Sequence, residues 1–110
     1  MGYDLHITRA DSWSENEGAE ISAEEWVALV RADPELSLEP SQGPYFARWA
    51  GPSRYPDPWL DWSSGNVFTK NSDSALLRKM AALAEKLGAQ VQGDDGEIYD
   101  GTEPLDEYFG

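Results

Sequence analysis

Apolar and polar side chains alternate from the start of the chain. In "YDLHITR", Tyr3, Leu5 and Ile7 fall on one side and Asp4, His6 and Thr8 on the other, the two-residue period of a half-buried strand. "ADSWSENEGAEI" has no period and predicts a polar loop. In "SAEEWVALVRADP", Ser22 and Glu25 have the spacing of a capping box, in which each satisfies the other's free backbone N–H. Trp26, Leu29 and Val30 share one helical face, and Pro34 ends the helix because the residue before a proline resists the α conformation. "ELSLE" sets Leu36 and Leu38 against acids as an edge strand. "PYFARWAG" and "WLDW" are strands by aromatic content, and "GPSRYPDP" between them holds three prolines and is irregular. "WLDWSSGNVFTKN" predicts a hairpin turning at Ser63-Ser64-Gly65-Asn66.

The strongest helical stripe is in "NSDSALLRKMAALAEKLG", where Leu76, Met80, Leu83, Ala84 and Leu87 line one face. Ser72 or Asp73 caps its start, and Gly88 sits where a left-handed terminator belongs. "AQVQ" and "EIYD" then form two short strands around "GDDG". The resulting order, β-α-β-β-β-β-α-β-β, predicts an α+β two-layer sandwich. One face of a mostly antiparallel sheet meets both helices, because two amphipathic helices cannot bury their stripes on each other and also cover a sheet. Residues 1–101 make a single domain and residues 102–110 an acidic tail, whose Leu105, Tyr108 and Phe109 fold back or grip a partner. The sequence shows no internal repeat and no low-complexity tract.

Composition narrows the class. A chain of 110 residues, 40% hydrophobic and 26% charged, supports one globular core. No apolar run approaches the ~18 residues that cross a bilayer, and the polar start lacks a signal peptide's pattern. Gly2 suggests myristoylation, but His6 stands where that motif wants Ser or Thr. Zero cysteines exclude disulfides and thiolate chemistry, so a soluble cytoplasmic protein is expected.

The net charge of −13 is unevenly placed: residues 11–39 carry nine acidic groups and one basic, and residues 94–110 carry seven acidic and none basic. Residues 40–93 carry four acidic and six basic. Nucleic acid and anionic membrane are thereby disfavoured as partners, and cations or basic proteins favoured. The plain alternative is charge that serves solubility alone.

Candidate chemistry is sparse. An EF-hand loop needs oxygen ligands at positions 1, 3 and 5, glycine at 6 and glutamate at 12. With Asp95-Gly96 at positions 5 and 6, Val91 falls at 1 and Gly93 at 3; with Asp100-Gly101 there, Gly96 and Ile98 do. Neither register works. Asp95-Gly96 between "VQ" and "EIY" instead predicts a hairpin turn, with a weak non-EF divalent site at Asp94 and Asp95 as the alternative. His6 is the only histidine; Asp4 and Thr8 share its strand face and are placed to orient it, and a strand histidine holding a hydrogen bond is the expected role. No nucleophile elbow and no glycine-rich loop leading into a helix is present, so no catalytic residue, metal or cofactor is assigned. Tyr45, Phe46, Trp49, Tyr55, Trp59 and Trp62 crowd eighteen residues together with Arg48 and Arg54. Such residues either fill the core of a small domain or anchor an interface.

The blocks "YDLHITR" (3–9), "SAEEW" (22–26), "DPEL" (33–36), "GNVFTKN" (65–71) and "KLGAQVQGDDGEIY" (86–99) together resemble a family of small bacterial proteins that carries them in this order around a variable middle. The resemblance implies a bacterial, cytoplasmic origin; it implies no activity and no functional residue. In general character only, such small acidic chains are similar to the immunity proteins that neutralise polymorphic toxins.

Two functions follow as expectations. In the first, the chain is a protein-binding inhibitor of a basic, nucleic-acid- or nucleotide-directed toxin, monomeric when free. Glu15, Glu17, Glu20 and Glu24, with Asp94, Asp95, Asp106 and Glu107, mimic the anionic substrate, while Arg54, Tyr55 and Trp59 supply anchors. In the second, an aromatic loop closes over a small ligand in a cleft between sheet and helices, with Arg48 or Arg54 fixing an anionic group. Catalysis ranks third, for want of any supporting constellation.

Overall fold

The computed structural model describes residues 4–53, 57–70 and 72–102. Its elements are β1 (Asp4–Thr8), α1 (Ala23–Ala32), β2 (Leu36–Leu38), β3 (Ala47–Trp49), β4 (Trp59–Ser63), β5 (Asn66–Lys70), α2 (Ser74–Lys86), β6 (Gln90–Gly93) and β7 (Ile98–Tyr99). The strands form one seven-stranded sheet in the order β2-β3-β4-β5-β1-β6-β7, antiparallel at every pairing. The fold is the expected α+β arrangement, with both helices packed on one face of the sheet. None of the described helices is long and apolar enough to cross a membrane.

Local chemistry sets the element ends. Ser22 Oγ accepts from Glu25 N while the Glu25 carboxylate accepts from Ser22 N, the predicted capping box. Asp73 rather than Ser72 caps α2, accepting from Leu76 N at 2.9 Å. Gly88, with φ +63°, terminates the helix. The β4–β5 hairpin turns through Ser64 (φ +51°) and Gly65 (φ +85°), two positive φ values in sequence, as a two-residue turn between right-twisted strands demands. Gly96 N donates to Gly93 O, closing the β6–β7 turn around Asp94 and Asp95.

Register decides what each sheet face carries. Leu5 pairs with Thr69 and Gly93, and Ile7 with Val67 and Val91; their side chains meet Trp26, Val30, Leu76, Leu77, Met80 and Leu83 from the helices in one buried core. The indole N–H groups on this side have acceptors: Trp26 donates to Tyr45 O, Trp62 to Ile21 O and Trp49 to Glu35. Tyr45, Trp49 and Trp62 are therefore core or core-margin residues, as strand alternation implies.

Gly65 is constrained twice, by its φ and by space, since an added Cβ would lie 2.6 Å from Glu20 Cγ. Gly65→Ala is expected to cost about 1–3 kcal/mol, read as a lower urea midpoint; an unchanged midpoint would contradict the turn geometry.

Candidate functional site

Among the described residues, no helix covers the other face of the sheet. Across its middle, register sets Asp61, Phe68, His6 and Gln92 side by side on β4, β5, β1 and β6. The stretch read as a featureless polar loop is built onto this face. Leaving β1, the chain folds back so that the Trp13 indole stacks on the His6 imidazole, with centroids 3.8 Å apart and planes 4° from parallel. Gln92 fixes this segment from both sides: its Oε1 accepts from Trp13 N at 2.9 Å, and its Nε2 donates to Asp11 O at 2.8 Å. Asn66 Nδ2 donates to Trp13 O, and Asn16 Nδ2 donates to Ser64 O. Finally, Trp13 Nε1 donates to Asp94 O at 3.1 Å. Gln92 is fully buried and Asn66 nearly so, which makes these bonds costly to lose.

His6 does hold a hydrogen bond, but Asp94 is its partner, with Nε2 3.0 Å from Oδ1. The same-strand orienters expected from the sequence are otherwise engaged. Asp4 pairs with Lys70 and donates its N–H to Asp94 Oδ2, while Thr8 Oγ1 accepts from Ala10 N. Asp94 follows Gly93, the partner of Leu5, so the end of β6 carries it beside Asp4 and within reach of His6.

Many carboxylates are already paired. Arg9 forks onto Glu25, Arg48 binds Glu39, and Lys79 binds both Asp33 and Glu35. Hydrogen bonds from the Arg9 guanidinium, supported by Ser22 N–H, hold the Glu25 carboxyl down at about 2. At Asp33, burial pushes the pKa up, but the Lys79 ammonium and the Glu35 N–H outweigh it and the net shift is downward. The Lys79 and Trp49 hydrogen bonds lower Glu35 as well, whereas burial raises Asp61. A carboxylate depressed in the fold adds stability above its unfolded pKa and loses it as pH falls through the folded value. Stability is therefore expected to hold near neutrality and to fall as pH drops from 4.5, the ordinary value for Glu25, towards about 2. Asp61, shifted the other way, offsets a small part of this loss. Urea midpoints from pH 7 to pH 2 check the trend, and a midpoint flat to pH 2 would contradict it.

Against that background, Asp11, Glu15, Glu17, Asp95 and Glu97 are exposed and have no ion-pair partner among the described residues. The Trp13 bonds bring their two stretches together, with Asp11 and Glu15 on one side of the junction and Asp94 and Asp95 on the other. Glu20 lies by Gly65 at the β4–β5 turn, with Oε2 accepting from Gly18 N. Glu24 is exposed on α1, in the helical layer, and does not join the others.

Arg54, Tyr55, Asp106 and Glu107 lie outside the described residues, as does most of the acidic tail. Trp59 belongs to the sheet, as the strand "WLDW" predicts. It opens β4, half-buried on the helix-free face, stacked on Phe46 at 5.1 Å and edge-on to Phe68 at 5.7 Å. Arg48, a candidate anion clamp, is committed to Glu39 and to Asp57 O. The space between sheet and helices is filled by the core. A shallow groove of about 310 Å³ lies on α1 instead, lined by Ala23, Glu24, Val27, Ala28, Arg31 and Tyr45. Comparison with protein-family models, curated proteins and solved structures found no match.

Proposed function

We propose that this chain is a protein-binding module that docks a cationic partner on its acidic, helix-free face, as an immunity-type inhibitor of a basic bacterial toxin. The observation that carries this reading is the junction at Trp13. Two acidic stretches some eighty residues apart are joined by Trp13 and Gln92, leaving Asp11, Glu15, Asp95 and Glu97 unneutralised around it. Fixing carboxylates on a bonded loop, rather than a mobile one, lowers the entropy lost when a partner's lysines and arginines engage them. Phe46, Trp59 and Phe68, on the same sheet face, supply half-buried apolar area beside the charge. The bacterial, cytoplasmic setting belongs to the same proposal.

The small-ligand reading has less support, because the sheet–helix gap is occupied and Arg48 is paired. The test is the salt dependence of association with a toxin domain encoded beside this chain. The on-rate is expected to fall by tenfold or more between low and ~0.5 M salt, with a smaller change in the off-rate. An on-rate indifferent to salt would contradict electrostatic docking.

A further inference from the structure

We propose that Asp4, His6 and Asp94 form a binding site for one divalent transition-metal ion of the zinc and manganese class. Their donor atoms, one imidazole nitrogen and two carboxylate oxygens, all lie within 4.8 Å of one another. Tetrahedral ligands at ~2.1 Å from one ion lie ~3.4 Å apart, a spacing the His6–Asp94 pair already approaches at 3.0 Å, so binding draws in the Asp4 carboxylate. The inference is independent of the docking reading.

The donors differ in chemistry and in restraint, and both point to a metal rather than to a generic acidic patch. His6 supplies the nitrogen, and its side chain is only 7% exposed. Trp13 stacked on its face limits the ring's motion, and Nε2 is already directed at Asp94. Asp94 is 38% exposed on the side chain, so the ion is reachable from solvent. Its second oxygen takes the Asp4 N–H, which holds the carboxylate in place while Oδ1 faces the imidazole. A nitrogen donor with two carboxylates suits zinc or manganese and disfavours calcium and magnesium, which seek all-oxygen shells. One competitor is present: Lys70 Nζ sits 3.2 Å from Asp4 Oδ1 and must withdraw as the ion arrives. Three protein donors leave coordination positions open for water.

The test uses the full chain, with zinc chloride as probe, by calorimetry and by imidazole nitrogen NMR. Because His6 is the only histidine, its two ring nitrogens report without ambiguity. The expected result is one ion per chain and a large shift of Nε2 on zinc addition. Affinity should be at least tenfold weaker in D94N and H6Q, unchanged in D95N, and several-fold tighter in K70A, where the competing ammonium is gone. Calcium at the same concentration should leave the Nε2 resonance in place. The proposal is overturned if D94N binds zinc as tightly as the native chain, if K70A binds no more tightly, or if Nε2 is unmoved at saturating zinc. Should H6Q fail to fold, D94N and the native nitrogen spectrum decide the matter alone.

Discussion

Trp26→Ala is expected to destabilise the protein by about 3–5 kcal/mol, the range for deleting a large buried aromatic. Trp26 is fully buried in the one core that both helices and the sheet share. It sits on α1 but also ties the segment before β3, since its Nε1 donates to Tyr45 O at 2.9 Å. Truncation therefore opens a cavity and strips a carbonyl of its donor at once. A domain of this size has a total stability of ~5–15 kcal/mol, so the variant should lie near the edge of folding. Trp26→Phe separates the two effects: it retains most of the volume and should cost about 1–2 kcal/mol, mainly the hydrogen bond. Urea denaturation followed by far-UV circular dichroism gives both numbers. Equal costs for the two variants would show that packing at this site counts for little.

The second large effect is at Lys79. Its ammonium lies 2.7 Å from Asp33 Oδ2 and 2.7 Å from Glu35 Oε1, joining α2 to the turn between α1 and β2. The Asp33 side chain is 5% exposed and that of Lys79 14%, so the pair is shielded from water. Lys79→Met strands the Asp33 carboxylate and is expected to cost about 3 kcal/mol near neutral pH. Adding Asp33→Asn should recover most of that, because the neutral amide no longer needs a counter-ion and still accepts from Glu35 N. The single variant's penalty should also shrink in acid, as Asp33 takes up a proton. A double variant no more stable than Lys79→Met would contradict the pairing.

Periodic segments announced themselves in the sequence because their partners are local. The Ser22–Glu25 capping box, the Leu76-to-Leu87 stripe, Gly88 and the Ser64-Gly65 turn each depend on residues within a few positions, and each is present. The candidate site depends on distant partners. Residues 11–20 lack periodicity because side-chain bonds to Gln92, Asp94, Ser64 and Asn66 order them, not a repeating ladder. Trp13 was the available signal: a lone large aromatic in an otherwise polar stretch has to bury its ring somewhere. The partner of His6 was hidden for the same reason, since strand order, which local pattern does not reveal, brings β6 beside β1. Trp59 is the local case again: the aromatic pattern of "WLDW" opens a strand at it, and register pairs it with Arg48 on the sheet.

The docking claim is tested most directly by comparing two charge reversals against the same toxin domain. Asp11→Lys, Glu15→Lys and Asp95→Lys together invert the surface around Trp13, while Glu24→Lys with Glu85→Lys alters exposed helical positions. The first set is expected to weaken binding a hundredfold or more and to flatten its salt dependence, the second to change it by less than fivefold. Equal losses from both sets, or none from the first, would contradict a partner seated on the helix-free face.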